Sequence, residues 1–82
     1  MKEIKISVVG LGTVGSNVIK SIENKSYEII QKTNIKFNIV GIAAKNKDKK
    51  RIFDTSKYQW SDNPLDLLDS NKCDVLIELI GE

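Results

Sequence analysis

Apolar and polar positions alternate from the start of the chain. Ile4, Ile6 and Val8 fall on one side of an extended segment and Lys5, Ser7 and Val9 on the other, a period-two pattern that ends at Gly10. From Thr13 the period lengthens. Val14, Val18 and Ile22 recur every four residues with Ile19 beside them, and Ser16, Asn17, Lys20 and Glu23 are assigned to the solvent side, the pattern of an amphipathic helix. Tyr27, Ile29 and Ile30 prolong that helix, with an irregularity expected around residues 24–26 and an end near Lys32, Thr33 and Asn34. Residues 37–44 (FNIVGIAA) are almost continuously apolar and β-branched, as in a strand covered on both faces. A basic loop follows over residues 45–51, and residues 57–61 (KYQWS) read as a short strand, with Tyr58 and Trp60 covering a sheet edge. Asn63 then suits an N-cap, Pro64 the first helical position and Asp66 a first-turn acid. Leu65, Leu67 and Leu68 form the apolar face of a second helix ending near Ser70 and Asn71. Residues 75–80 (VLIELI) read as another buried strand, closed by Gly81, with Cys73 a passive small residue before it. Strands alternating with helices, without repeat or linker, predict an α/β domain whose strands run parallel through right-handed crossovers.

Composition narrows what such a domain does. The chain has 82 residues, 40% apolar and 29% charged, which fits one soluble domain over residues 1–82. Thirteen basic against eleven acidic side chains leave +2, too balanced for a nucleic-acid or membrane-surface partner on charge alone. One Cys excludes an internal disulfide framework, and the absence of His excludes a Cys₂His₂ zinc site, a His general base and a His-containing triad. No metal site is expected. The N-terminus lacks a signal-peptide core, and no run reaches the roughly 18 apolar residues of a membrane span, so a cytoplasmic location is expected.

Three of the five glycines fall in Gly10-Leu11-Gly12-Thr13-Val14-Gly15, directly after a predicted strand and at the opening of a predicted helix. That is the setting of the dinucleotide fingerprint G-x-G-x-x-G. Gly10 permits the tight turn, Gly12 lets backbone approach a pyrophosphate, and Gly15 lets helix and strand pack closely. The helix N-terminus offers N–H groups and partial positive charge to the phosphates. The competing reading is a glycine-rich turn with no ligand. The fingerprint also expects an acid at the end of the second strand to hold the ribose 2′-hydroxyl. This strand ends Ala43-Ala44-Lys45-Asn46, followed by Lys47, Lys49, Lys50 and Arg51, and its first acid is Asp48. Cations there suit a 2′-phosphate and favour NADP over NAD, NAD being the second choice, with Lys45 the first candidate by chain position. For Lys49, Lys50 and Arg51 a solvated loop serving solubility is an equal alternative. Glu78 interrupts an apolar strand, and a structural, paired carboxylate is favoured over a functional acid. In a sheet ordered 3-2-1-4 the first and fourth strands part at the topological switch point, which puts Ile80 and Gly81 beside the dinucleotide crevice.

In order and in sequence, ISVVGLGTVGSNVIKSI, IVGIAAKN and DNPLDLLDSNKCDVLIELIGE resemble the N-terminal NAD(P)-binding domain of homoserine dehydrogenase. The resemblance covers nearly all of the chain and implies a Rossmann-like, partial doubly wound parallel sheet of about four strands. It implies an oxidoreductase that reduces aspartate semialdehyde to homoserine with NAD(P)H, on the route to threonine, isoleucine and methionine. By that resemblance Leu11, Gly12, Thr13 and Val14 contact the diphosphate through backbone amides. Ala44 and Lys45 border the adenosine ribose or its 2′-phosphate, and Ile80 and Gly81 line the nicotinamide side. The family's glycine pair after the last strand is here Gly81-Glu82.

The family's substrate and dimerisation domain, with its catalytic Lys and substrate-binding acids, has no counterpart in these 82 residues. No catalytic residue is therefore assigned. The expectation is a truncated, split or relic dehydrogenase without turnover on its own, the alternative being a small NAD(P)-sensing module that acts through a partner. The last strand should lie at a sheet edge although its composition is that of a strand flanked on both sides. Self-association or pairing with a missing catalytic fragment is expected there.

Overall fold

The computed structural model describes residues 1–68 and 73–79. Strand β1 (Lys2–Val9) leads into helix α1 (Thr13–Thr33), which returns to β2 (Ile35–Ala43). Short strands β3 (Gln59–Ser61) and β4 (Val75–Glu78) follow, with 3₁₀ turns at Thr55–Lys57 and Pro64–Leu68. The strands form one parallel sheet in the order β3-β2-β1-β4, the expected Rossmann-like arrangement. β1 pairs with β2 from Lys2 opposite Ile35 to Val9 opposite Ala43, and with β4 from Ile6 opposite Val75 to Val9 opposite Glu78. A bulge shifts the β1–β2 register between Ile6 and Ser7. Only the C-terminal half of β1 has a neighbour on both sides, and that half is the buried one.

Burial divides by sheet face. Ile6, Val8, Ile39 and Ile42 pack with Ile19 of α1, Leu11 and Phe53. On the other face Val9 and Ala43 pack under Leu67, with Leu76 beside them. What seats the helix is an absence. A Cβ on Gly15 would lie 1.9 Å from the Gly10 carbonyl oxygen, so the first turn of α1 rests directly on the backbone leaving β1.

The helix faces differ from the expected ones. Ser16, assigned to solvent, is buried, and Val14, assigned to the core, is 47% exposed. At 3.6 residues per turn, a strict four-residue spacing drifts about 40° per step, so Val14, Val18 and Ile22 do not hold one line. The sheet-facing stripe is centred on Ile19, which brings Gly15 and Ser16 inward at i−4 and i−3. The helix is unbroken through residues 24–26. It ends as expected at Asn34, whose left-handed backbone (φ 57°) returns its N–H to the Ile30 carbonyl. Thr33 Oγ1 donates to the Ile29 carbonyl and accepts from the Ile35 N–H, tying helix end to strand start.

Among the described residues, the expected second helix is 3₁₀ over Pro64–Leu68. Asn63 caps it as read from the sequence, its Oδ1 accepting from the Leu65 N–H at 3.0 Å. With three residues per turn, Pro64 and Leu67 share a side, so Leu67 is buried while Leu65 is 68% exposed. Its expected end at Ser70 and Asn71 lies outside the described residues. β4 is an edge strand with Val75 45% exposed. Glu78 is exposed rather than buried, so the cost that singled it out does not arise. Trp60, half-buried on the opposite edge strand, packs against the core and donates Nε1–H to Asp62 at 3.0 Å. Cys73 is a free thiol directed at the Leu67 carbonyl, 3.3 Å away.

Two consequences are measurable. Gly15→Ala must push α1 off the sheet, because the atom in the way is backbone; a loss of about 3 kcal/mol or more in urea-unfolding free energy is expected. The second concerns the Tyr58 hydroxyl, which donates to Glu23 of α1. Burial first, then that bond and the carboxylate charge, push the phenol well above its ordinary pKa of 10.0. The native state then keeps a proton that the unfolded chain releases, so stability is full below pH 10 and falls as pH rises above it. Urea midpoints of the wild type should drop more steeply between pH 9 and 11 than those of Tyr58→Phe.

Candidate functional site

The glycine loop spans the gap between β1 and α1. Gly10 makes the turn with φ 95°, a backbone state that favours glycine, and its N–H reaches the Ala43 carbonyl at 2.8 Å. That bond carries the β1–β2 pairing one step past the strand. Leu11 turns into the core, and its carbonyl accepts the Ser16 hydroxyl at 2.8 Å. Loop and helix are thus fastened twice, by that bond and by the contact of Gly15 with Gly10.

Gly12 is the exposed N-cap of α1. No side chain caps the helix there, and the first turn carries no acid. The Ser16 N–H closes the first helical bond onto the Gly12 carbonyl at 2.9 Å. The amides before it therefore face outward beside a residue without a side chain, in a partial positive field. Thr13 and Val14 are exposed on this same turn. Val14, exposed and so without a core role, is not among the residues that line the adjoining cavity.

Against this turn stands the segment after β2. A surface cavity of about 210 Å³ is walled on one side by Leu11, Gly12, Thr13, Ser16 and Asn17, and on the other by Lys49, Lys50, Arg51 and Ile52. The fold thus brings two stretches that are far apart in sequence to one hollow. Lys45 is exposed at the end of β2 and does not line it, while Ala44 is half-buried and packs against the core. Ile80 and Gly81 lie outside the described residues. Ser16 and Asn17 join the wall without having been singled out from the sequence. Their one advance signal was position, one and two residues past the last glycine of the motif.

Arg51 is not a solvated charge. Its Nη2 donates to the Lys45 carbonyl at 2.8 Å, and its Nη1 to the Asn46 and Lys49 carbonyls at 3.1 and 3.0 Å. Its Cζ lies 5.4 Å from the centroid of the Trp60 ring. Among the described residues no group of His, Cys, Asp and Glu could hold a metal ion, and no helix is long and apolar enough to cross a membrane.

Comparison with known proteins places this geometry. No family model matches the chain. Homoserine dehydrogenase of Bacillus subtilis is 35% identical over 81 residues, which is 99% of this chain and 19% of that protein. The Pseudomonas aeruginosa homoserine dehydrogenase is 31% identical, again over 99% of this chain and 18% of its own length. The crystal structure of S. aureus homoserine dehydrogenase at pH 8.5 superposes on the whole chain with a TM-score of 0.88 at 34% identity, covering 21% of that structure. The chain spans about one fifth of the length of the relatives it matches. Loop, crossover helix and four-stranded sheet therefore match homoserine dehydrogenases along the whole of this chain, as the counterpart of about one fifth of such a protein.

Proposed function

We propose that residues 1–82 hold a nicotinamide dinucleotide as the N-terminal cofactor-binding portion of a homoserine dehydrogenase. The observation that carries this reading is the cavity itself. In a chain that matches homoserine dehydrogenases from end to end, an uncapped helix N-terminus behind a side-chain-free Gly12 faces a cationic wall. Both features suit a ligand with several phosphates. The backbone amides of Leu11, Gly12, Thr13 and Val14 would take the diphosphate, as the family resemblance implies. Ser16 would hold the loop in shape through its bond to Leu11. The bound dinucleotide would supply the hydride that interconverts aspartate semialdehyde and homoserine. The chain's own contribution is to bind and orient it. We place this chemistry in the cytoplasm, on the route to threonine, isoleucine and methionine. The exposed edge of β4 is where a second copy, or a substrate-binding segment of the dehydrogenase, would join the sheet.

We further propose NADP as the preferred cofactor. Lys49 and Lys50 stand on the cavity wall facing the glycine loop, and Lys45 ends the strand where an NAD-binding chain would present a carboxylate. Titrating NADPH and NADH by calorimetry should give at least about tenfold tighter binding of NADPH at low salt. Lys49→Glu and Lys50→Glu should each weaken NADPH by about tenfold while moving NADH little. Lys45→Glu, run alongside, ranks the strand-end lysine against the wall lysines. Equal affinities for the two cofactors overturn the NADP preference, and binding of neither overturns the dinucleotide reading.

A further inference from the structure

Five cations crowd into residues 45–51, and mutual repulsion alone would splay such a loop into solvent. It is instead folded back on itself. Asn46 takes a left-handed backbone (φ 53°), and the Lys49 N–H closes a turn onto the Asn46 carbonyl at 3.0 Å. The same Asn46 carbonyl, with those of Lys45 and Lys49, converges on the Arg51 guanidinium. Nη1 and Nη2 are both engaged with backbone, and the plane lies near the Trp60 ring on edge strand β3. A planar fork with several fixed donors can gather three carbonyls and sit against an aromatic ring at once, whereas a lysine ammonium is a point charge on a flexible stem.

We propose that Arg51 is the positioning residue of the cofactor site. Its guanidinium fastens the basic loop to β3, so that Lys49 and Lys50 face the glycine loop instead of dispersing. This rests on the NADP reading above. Arg51 acts through the two lysines; three of its five N–H donors are given to the loop backbone, and its Nε is buried without a partner. The specificity of the site is then set by a residue whose charge looks, in sequence, like one more of the same kind.

The test uses Arg51→Lys, which keeps the charge, and Arg51→Met, which removes it, in the full chain. Two quantities are read. One is the ratio of NADPH to NADH affinity, with and without Lys49→Gln; the other is the rate of native-state tryptic cleavage after Lys47 and Lys49. Arg51→Lys should behave like Arg51→Met, with cleavage about tenfold faster and the NADPH preference reduced several-fold. In either background Lys49→Gln should lose most of its effect, the signature of coupled residues. Retention of both preference and protection in Arg51→Lys overturns the proposal, because charge alone then suffices. If the wild type binds the two cofactors equally, the NADP reading fails, and the cleavage rates still decide whether Arg51 orders the loop. If both substitutions unfold the sheet by circular dichroism, the wild type decides. Cleavage after Lys47 as fast as in a free peptide of residues 44–53 overturns the proposal, and slower cleavage supports it.

Discussion

The approach of α1 to the end of β1 is the constraint on which the rest of the molecule depends. The Gly10 carbonyl occupies the space in which any side chain at position 15 would begin. Because that space is empty, the helix can lie against the sheet with Ile19 over Ile6, Val8 and Ile42, forming the larger core cluster. The same contact fixes where the first turn of the helix points. Stability and the aim of the helix amides are thus two results of one missing Cβ.

Much of this was legible in sequence, because the signals were local. The alternation of residues 4–9, the glycine spacing, the Asn34 helix stop and the Asn63 cap each follow from neighbours within a few positions. The order of the strands followed from handedness and the motif. What misled was periodicity read too literally. Val14, Val18 and Ile22 form an attractive apolar series, yet the buried stripe passes through Gly15 and Ser16. Neither residue is apolar in side chain, and their burial is required by backbone proximity that no hydropathy pattern records. The second helix differs in type for a related reason: a capping residue, a proline and three leucines announce a helix start but do not tell a 3₁₀ helix from an α-helix.

The basic loop shows a different limit. Chain position nominated Lys45, the first cation past the strand, while the fold turns the loop so that the cavity meets Lys49, Lys50 and Arg51. Sequence distance from a strand end says little once a left-handed residue such as Asn46 reverses the backbone. The partners that Arg51 chooses are carbonyls, present at every residue and therefore invisible to any reading of side chains. Charge runs report composition; which member is structural depends on where the chain brings its own backbone.

The central place of β1 also orders events in time. Its pairing with β2 engages the full strand, from Lys2 to Val9, across one helical crossover. Its pairing with β4 engages only Ile6 to Val9, and joins Lys5 to Asp74 across a separation of 69 residues. Doubling a closed loop adds only about 0.6 kcal/mol of entropy, so span alone does not make β4 late. The shorter ladder does, since fewer pairings repay the closure. The β1-α1-β2 unit, glycine loop included, is expected to assemble first and β4 to dock on a finished surface. The cavity between the glycine loop and the basic segment after β2 would then take shape before the β4 edge of the sheet is in place.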